Sequence, residues 1–357
     1  ERLDIYKKYA DQLLAEGKAY YCFCSEEEIE AERAAAMEKG DMPMYSGKCR
    51  HLTEEQKAAY IAEGRKPVIR LHVPHGDKLV VDDAVRGVVT FESDGVGDFV
   101  IVKSDGIPTY HFAHICDDHF MRTTHVIRGE EWISSVPKHI ELFKVCGYKL
   151  PKFAHTPQVL KIDEETGDKR KLSKRKDPEA AVSYFVEEGF PKESVLEYLL
   201  TLINSNFEDW RRANPREDIS KFPFNLKKMS VSGALFDMVK LNDISKNVIS
   251  LMPAKKVYDY TAAWAKEYDK EFYELLTRDE EYSVSILNID REGPKPRKDI
   301  ACFSEVKDYV SYFFNEIADL SIELPENITA DMAKEILALY VEEYDASRDK
   351  DGWFAHI

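Results

Sequence analysis

Six cationic side chains occur within eight residues, Lys169-Arg170-Lys171-Leu172-Ser173-Lys174-Arg175-Lys176, although the chain as a whole has a formal net charge of −16. Ammonium groups on a flexible loop can follow negative charge as it moves onto a leaving pyrophosphate, so this segment suits a triphosphate substrate. The alternative is an ordinary solvated basic loop, which composition alone does not exclude. Shorter basic patches occur at Arg211-Arg212, Lys227-Lys228 and Lys295 to Lys298. The acidic composition therefore does not exclude a nucleic-acid partner, because binding depends on local charge.

Two short segments have the spacing of metal ligands. They are Cys22-Phe23-Cys24 and, after 24 further residues, Cys49-Arg50-His51. Alternate residues of an extended segment point to one side, so each pair can bind a single ion. Three thiolates and one imidazole suit tetrahedral Zn²⁺, and four protein ligands indicate a structural rather than a catalytic site. The alternative is four unrelated residues, with the thiols serving as small buried groups.

A third group of residues could recognise a small anion. Tyr110 and His114, four residues apart, share one face at the beginning of a predicted helix, where anions are favoured. Arg128 is predicted at the carboxyl end of a strand, where ligands bind in open α/β sheets and where a guanidinium can clamp a carboxylate. Two alternatives remain open, packing roles for Tyr110 and His114 and a structural ion pair between Arg128 and Asp117, Asp118 or Glu130.

The pattern of apolar residues predicts the elements that carry these groups. Residues 1–16 form a helix that ends at Gly17, and Ser25 caps a second helix over residues 26–39 with Glu28 completing a capping box. Residues 67–103 contain short β-rich runs typical of a mainly antiparallel sheet, and Val126-Ile127 is a buried strand. From about residue 190 the chain is mostly helical, with a polar, proline-containing interruption at 276–300.

Bulk composition restricts the class of protein. The chain has 357 residues, of which 44% are hydrophobic and 32% charged, which is typical of a globular protein with two or three domains. No run of about 18 apolar residues occurs, so no membrane-spanning segment is predicted. Six cysteines in this length do not make a disulfide scaffold, and a reducing cytoplasm is the expected location.

Taken together, these segments closely resemble the bacterial glutamyl-tRNA synthetases, a family of class I aminoacyl-tRNA synthetases. Residues 171–175, Lys-Leu-Ser-Lys-Arg, are similar to the class I lysine-serine-lysine signature. Residues 105–111 and 126–132 are similar to two segments of the glutamate and ATP pocket, and the Cys/His set resembles the zinc site of many members. The resemblance is strong from residue 1 to about 250 and weak thereafter.

The resemblance implies a role for each candidate residue. Tyr110, His114 and Arg128 would bind glutamate, with Arg128 reading the side-chain carboxylate, although family members often carry Asn where His114 stands. Lys171 and Lys174 would be the catalytic residues. Nucleotide contacts would come from Glu131, Leu160, Lys171, Leu172, Ser173, Lys174 and Arg175. Structural zinc would be bound by Cys22, Cys24, Cys49 and His51.

The implied fold class is α/β plus all-α, the second half of a class I Rossmann catalytic domain followed by helical regions. The predicted division is 1–16 as a helix of the Rossmann domain, 17–105 as an inserted zinc-bearing acceptor-binding domain, 106–155 as the second Rossmann half, 156–240 as a stem-contact domain with the basic loop, and 241–357 as a truncated helical anticodon-binding domain.

The implied reaction is ATP-dependent attachment of L-glutamate to tRNA through a glutamyl-adenylate, with Mg²⁺ as the ATP counterion. The implied partner is tRNA(Glu), with tRNA(Gln) left open, and the protein is expected to be a cytoplasmic monomer. The family's His-x-Gly-His loop and N-terminal Arg do not occur in the sequence, and residues 351–357 stop inside what resembles a helix. We therefore expect that this chain alone does not activate glutamate.

Two other functions stay open at this point. A glutamyl-queuosine tRNA synthetase type enzyme shares the pocket and the zinc ligands but lacks the helical C-terminal region, so residues 240–357 argue against it. The second alternative is a non-catalytic tRNA-binding protein that has lost its catalytic half.

Overall fold

The computed structural model describes residues 2–163, 165–319, 323–345, 347–348 and 352. The chain forms two compact units, the first from residues 1–186 with 190–245 and the second from residues 187–189 with 246–357. The helix expected over residues 351–357 lies outside the described residues except for Gly352. No helix among the described residues is both long and apolar enough to cross a membrane.

Helices and short strands alternate through the first unit, and helices follow in the second. The helices are α1 Leu3–Ala15, α2 Glu26–Glu38, α3 Glu54–Ala62, α4 Tyr110–Phe120, α5 Val136–Val145, α6 Val182–Glu187, α7 Lys192–Ile203, α8 Phe207–Ala213, α9 Met238–Ser250, α10 Ala254–Tyr268, α11 Lys270–Thr277, α12 Glu280–Leu287, α13 Val306–Tyr309 and α14 Ala330–Glu343. The strands are β1 Ala19–Cys22, β2 Val68–Leu71, β3 Lys78–Asp83, β4 Gly87–Glu92, β5 Phe99–Val102, β6 His125–Gly129, β7 Lys152–Thr156, β8 Val159–Ile162, β9 Lys169–Lys171 and β10 Ala234–Leu235.

The first two helices begin and end as their sequences predict. Helix α1 stops just before Gly17, whose φ of +70° favours glycine. At the start of α2 the Ser25 hydroxyl accepts from the backbone N–H of Glu28, and the Glu28 carboxylate accepts from the backbone N–H of Ser25. Both halves of the predicted capping box are therefore confirmed.

Residues 67–103 supply strands to two different sheets, so the expectation of one sheet was wrong. In the first sheet, β2 pairs antiparallel with β1 and β5. In the second, the order is β4-β3-β7-β6, with β3 antiparallel to β4 but joined in parallel to β7 where Asp83 meets Phe153. Burial alternates along β3, but such a pattern does not identify which distant strand becomes the partner.

The second sheet carries a βαβ unit, as the Rossmann prediction requires. Strands β6 and β7 are parallel and are connected by α5, and their register sets Arg128 opposite His155. A third small sheet has the order β10-β8-β9, with β8 parallel to β10 and antiparallel to β9. The combination of α/β sheets and helical regions confirms the predicted fold class.

The core of the first unit holds α4 in place. Side chains of α1, α4 and α5 pack on the first sheet. The core residues that are at most 1% exposed include Ala10, Leu13, Ile101, Phe112, Ile115 and Leu142. Burying a large apolar side chain contributes about 1.5–3 kcal/mol. Packing of this kind fixes the buried side of α4 and leaves Tyr110 and His114 on another side.

The second unit has its own core, which α10, α11 and α12 share. Its buried residues include Val257, Phe272, Leu276 and Ile286. Helix α12 lies inside the stretch 276–300 that was expected to interrupt the helices. The Asp279 carboxylate accepts from the backbone N–H of Tyr282, so part of the polarity taken as a loop signal is a helix cap.

Candidate active site and candidate metal centre

A tight turn between β5 and α4 sets the direction of α4, the helix that carries Tyr110 and His114. Gly106 has a φ of +81°, and the Asp105 carboxylate accepts from the backbone N–H of Ile107 at 2.9 Å. Helix α4 then begins at Tyr110, and the rings of Tyr110 and His114 stack with centroids 5.5 Å apart and an interplanar angle of 11°. The predicted common face of these two residues is confirmed.

Arg128 is the next-to-last residue of β6, at its carboxyl end as predicted. Its Nε donates to Nε2 of His155 at 3.0 Å, and its Nη2 lies 3.2 Å from Nδ1 of His139. Its Nη1 is buried and has no hydrogen-bond partner among the described residues. Burial lowers the pKa of the guanidinium, while Tyr110 and Asp118 act in the opposite direction. A donor that is costly to leave unpaired therefore remains for a ligand.

The described residues do not form the alternative structural ion pair between Arg128 and Asp117, Asp118 or Glu130. Asp117 pairs with Arg2 at 2.8 Å, and Glu130 pairs with Arg86. Among the ion pairs of the described residues, none contains Arg128. Its charge is therefore not cancelled by a direct carboxylate partner within the described part of the chain.

His114 contributes a second buried nitrogen without a partner. Its Nδ1 lies 3.3 Å from Oδ2 of Asp118, one turn along α4, whereas its Nε2 is buried with no hydrogen-bond partner among the described residues. Burial lowers the pKa of His114, and Asp118 partly opposes this effect. Nε2 of His114 and Nη1 of Arg128 are thus two buried polar atoms without a hydrogen-bond partner among the described residues. Aromatic rings lie beside both residues: Trp132 is 4.8 Å from Tyr110 between ring centroids, and the Arg128 guanidinium carbon is 5.7 Å from the Trp132 ring.

Sequence reasoning missed three residues that support this pocket, Asp83, His139 and His155. Each is buried, with at most 2% of its surface exposed. Asp83 carried a usable signal, since it continues the buried alternation of Leu79 and Val81 in β3. A carboxylate in phase with apolar residues needs a buried partner. That partner, Nδ1 of His155, lies 2.6 Å from Oδ2 of Asp83.

The basic loop is folded around one buried carboxylate. Asp177 accepts from Nη1 and Nη2 of Arg170 at 2.6 and 2.8 Å and from the backbone N–H of Ser173 at 2.8 Å. The hydrogen bonds from Arg170 hold the pKa of Asp177 well below its usual range. Arg170 is therefore a structural cation, while Lys171 and Lys174 remain exposed.

Next to this loop is an open cavity of about 550 Å³. It is lined by Gly129, Glu131, Gln158, Val159, Lys171, Leu172, Ser173, Lys174 and Ala180. Nζ of Lys171 lies 3.5 Å from Oε1 of Glu131 across it. Five of the seven residues predicted to contact nucleotide thus lie together. The other two, Leu160 and Arg175, are not lining residues, and their nucleotide contacts stay predictions.

Three of the four predicted metal ligands come together. The Sγ atoms of Cys22, Cys24 and Cys49 lie within 4.8 Å of one another, with 3.5 Å between those of Cys24 and Cys49. Tetrahedral zinc with Zn–S bonds of about 2.3 Å needs sulfurs about 3.8 Å apart, so the spacing fits. Burial raises the pKa of Cys24 to about 12, and the neighbouring Cys22 thiol adds to the effect. A thiolate at Cys24 is therefore unfavourable in this setting unless a cation accompanies it.

His51 is exposed and lies outside the thiol group. The predicted alternation fails there because the backbone turns after Gly47, where the N–H of Arg50 donates to the carbonyl of Gly47. Tyr45 fills the position instead. Its hydroxyl lies 3.4 Å from the Sγ of Cys22 and of Cys24 and accepts from the backbone N–H of Cys49 at 3.1 Å. Three thiols and a phenol oxygen form the donor set of the candidate metal centre.

Comparison with known proteins identifies the family of the chain. Residues 1–243 match the family model for tRNA synthetases class I (E and Q), catalytic domain. Glutamate–tRNA ligase of Clostridium perfringens strain 13 is 48% identical over all of this chain and 66% of its own length, and that of Acetivibrio thermocellus is 44% identical with the same coverage. The chain thus spans slightly under two thirds of these curated relatives.

A solved structure shares the fold. The crystal structure of a glutamate tRNA ligase from Elizabethkingia meningosepticum in complex with its amino acid has a TM-score of 0.72 and 26% identity, covering 98% of this chain and 70% of that one. The family match spans well over half of the 357 residues, and the chain belongs to the class I tRNA synthetases of the E and Q family.

Proposed function

We propose that this chain serves the ATP-dependent attachment of L-glutamate to tRNA through a glutamyl-adenylate. The observation that carries the proposal is the buried Nη1 of Arg128, which has no hydrogen-bond partner in the part of the chain that the structure describes. A guanidinium in a pocket with no direct carboxylate partner selects a ligand that is itself a carboxylate. Tyr110 and His114, which belong to the proposed glutamate pocket, lie beside it on α4.

The cavity beside the basic loop supports ATP as the second substrate. Arg128 is followed directly in the chain by Gly129, which lines that cavity, so the amino acid and nucleotide sites adjoin. In the proposed step an oxygen of the glutamate α-carboxylate attacks the α-phosphorus of ATP, and the bond to the bridging oxygen breaks. Pyrophosphate leaves with the electron pair, and Lys171 and Lys174 stabilise its charge. A ribose hydroxyl of the 3′-terminal adenosine of tRNA then attacks the glutamyl carbonyl carbon, the acyl–phosphate bond breaks, and AMP leaves.

Two metals belong to the proposal. Mg²⁺ would accompany ATP as its counterion. Zn²⁺ would be held by Cys22, Cys24 and Cys49 with the Tyr45 oxygen, and it would have a structural role because four protein donors leave no open position. His51, assigned to this set from the sequence, is not included.

The proposed nucleic-acid partner is tRNA(Glu), with tRNA(Gln) a question for the assay. Exposed cations at Lys227, Lys228, Lys295 and Lys298 support a polyanionic partner despite the acidic net charge. We further propose residues 17–105 as the acceptor-binding insertion, 156–240 as the stem-contact region and 241–357 as the anticodon-binding region. A cytoplasmic monomer is the proposed form.

Glutamate-dependent pyrophosphate exchange and tRNA charging test the proposal, in protein expressed from the complete natural gene. We expect Lys171→Ala and Lys174→Ala each to lower exchange by about a hundredfold or more, the size of effect seen when one transition-state donor is removed. Lys176→Ala is the matched control, since this exposed lysine belongs to the same loop but does not line the cavity. It is expected to change exchange less than about threefold.

The other possible functions give different results in the same assays. Glutamate activation without transfer to tRNA(Glu) would favour the glutamyl-queuosine type. Binding of tRNA with neither activation nor charging would refute the proposal and favour a non-catalytic tRNA-binding protein. Charging of tRNA(Gln) with glutamate would extend the set of tRNA partners.

A further inference from the structure

Two neutral side chains hold the guanidinium of Arg128. Two of its three nitrogens are paired with imidazoles, Nε with Nε2 of His155 at 3.0 Å and Nη2 with Nδ1 of His139 at 3.2 Å. An arginine side chain has donors only, so both imidazole nitrogens must be acceptors that carry no proton. The contacts therefore fix a tautomer for each histidine.

On one side, the chain of hydrogen bonds continues to the backbone. Because Nε2 of His155 accepts, Nδ1 carries the proton and donates to Oδ2 of Asp83 at 2.6 Å. Oδ1 of Asp83 accepts from the backbone N–H groups of Val85 and Arg86, each at 2.9 Å. The carboxylate is thus fixed by the turn after β3, and its orientation determines which nitrogen of His155 is protonated.

On the other side, the chain continues through two further imidazoles. Nδ1 of His139 accepts from Arg128, so its Nε2 carries the proton and lies 3.0 Å from Nδ1 of His111. His139 is fully buried, and burial together with His114 and Arg128 lowers its pKa to about 2. A neutral His139 is therefore stable throughout the physiological range.

Neutral acceptors have a different effect from carboxylates. Arg170 and Arg211 are each held bidentately by a carboxylate, which orients the guanidinium but cancels its charge. Two imidazoles orient Arg128 equally well and leave its positive charge available. Asp83 is separated from Arg128 by the ring of His155, and neither Asp83 nor Asp118 forms an ion pair with the guanidinium among the described residues.

We propose that His155, fixed by Asp83, and His139 are positioning residues that orient Arg128 without neutralising it, so that they determine the preference for a carboxylate over a carboxamide side chain. This inference rests on the proposed function and deepens it. It assigns a role to three residues, none of which needs to touch the substrate.

Substitution of Asp83 gives the sharpest test. In Asp83→Asn, the backbone N–H groups of Val85 and Arg86 retain the amide oxygen at the Oδ1 position, where the N–H of His155 can also donate, so the NH₂ group faces Nδ1 of His155. Nδ1 then becomes the acceptor and Nε2 carries the proton, which opposes the N–H of Arg128. Nitrogen-15 shifts of selectively labelled histidine report this directly. We expect His155 to be Nδ1-protonated in the wild type and Nε2-protonated in the variant.

Enzyme kinetics provide the second test, and the assays use protein expressed from the complete natural gene. Loss of one charge-assisted hydrogen bond in Asp83→Asn or His139→Leu should raise the glutamate KM in pyrophosphate exchange by about ten- to a hundredfold. The ATP KM and kcat should change much less. His139→Gln, whose amide oxygen can accept from Arg128, should recover most of the loss. His139→Glu should lower the ratio of kcat/KM for glutamate over glutamine, because it neutralises Arg128.

His125→Leu is the matched control, since this exposed histidine lies on the same strand three residues from Arg128. It should leave the glutamate KM unchanged. A wild-type His155 that is cationic or Nε2-protonated would overturn the inference, as would an unchanged glutamate KM in both Asp83→Asn and His139→Leu. If the wild type neither binds nor activates glutamate, the proposed function itself fails and the inference fails with it. The histidine shifts separate the two cases.

Discussion

Arg211 and Arg212 are neighbours in α8 that the sequence places in one basic patch, yet we expect very different results when each is replaced by alanine. Nε and Nη2 of Arg211 bind the carboxylate of Glu197 at 3.1 and 2.6 Å, and its Nη1 donates to the carbonyl oxygens of Asn214 and Glu217. The Arg212 side chain is 78% exposed and pairs only loosely with an exposed Asp209.

The magnitude of the effect follows from the buried partner. Glu197 is 9% exposed, so Arg211→Ala leaves a buried carboxylate without its cation, which costs about 3–5 kcal/mol. Arg212→Ala should change the free energy of unfolding by about 0.5 kcal/mol or less. Replacing both members of the buried pair, in Arg211→Met with Glu197→Leu, should restore most of the stability, because the unpaired charge is then absent.

Acidification should reduce the cost of Arg211→Ala. Burial raises the pKa of Glu197, and Arg211 opposes this, so loss of Arg211 raises the pKa further. A group with a raised pKa in the folded state takes up a proton as the pH falls, which favours folding. The difference in free energy between wild type and variant should therefore be smaller at pH 5.5 than at pH 7.5.

Equilibrium urea unfolding followed by circular dichroism and tryptophan fluorescence measures these differences. The reasoning is refuted if Arg211→Ala costs under about 1 kcal/mol at pH 7.5, or if Arg212→Ala costs as much. A variant whose loss grows on acidification would also contradict it.

Three further predictions concern the two candidate sites and the buried carboxylate. Gly129→Ala should raise the ATP KM in pyrophosphate exchange with little change in melting temperature, because the added Cβ would lie 2.1 Å from Oε2 of Glu131, the movable end of a flexible side chain. Tyr45→Phe should lower the zinc content after dialysis against a weak chelator, whereas His51→Ala should retain wild-type zinc; the reverse result would restore His51 as the ligand. Burial alone would raise the pKa of Asp83, but hydrogen bonds from His155 and the backbone lower it, so its contribution to stability is present above its ordinary pKa and is lost as the pH falls below that value. An acid titration of the melting temperature should therefore be shallower below pH 4 in Asp83→Asn than in the wild type.

The features that the sequence predicts correctly depend on contacts that are close in the chain. The capping box of α2 spans residues 25–28, and the common face of Tyr110 and His114 spans one helical turn. The proximity of the Cys22 and Cys24 thiols needs only a short extended segment. In each case the local backbone determines the geometry, so residue type and spacing are sufficient.

The features that sequence reasoning missed depend on partners that are distant in the chain. Asp83 and His155 are 72 residues apart and meet only because β3 joins β7. Tyr45, rather than His51, lies beside the thiols because the chain turns between Gly47 and Arg50, where an extended segment was expected. Neither contact produces a periodic pattern in the sequence. Only Asp83, a carboxylate that continues the buried alternation of β3, indicated a missing partner.

The single parallel pairing between β3 and β7 limits how freely parts of this chain can be exchanged with relatives. Residues 17–105 are predicted as an insertion, yet they deliver Asp83 to the ring of His155, which lies beyond their boundary. A chimera joined at 105/106 would take the residue that meets His155 from the relative, so a relative without Asp at that position would change the support of Arg128. Segment grafting between relatives therefore needs Asp83 and His155 to be transferred together.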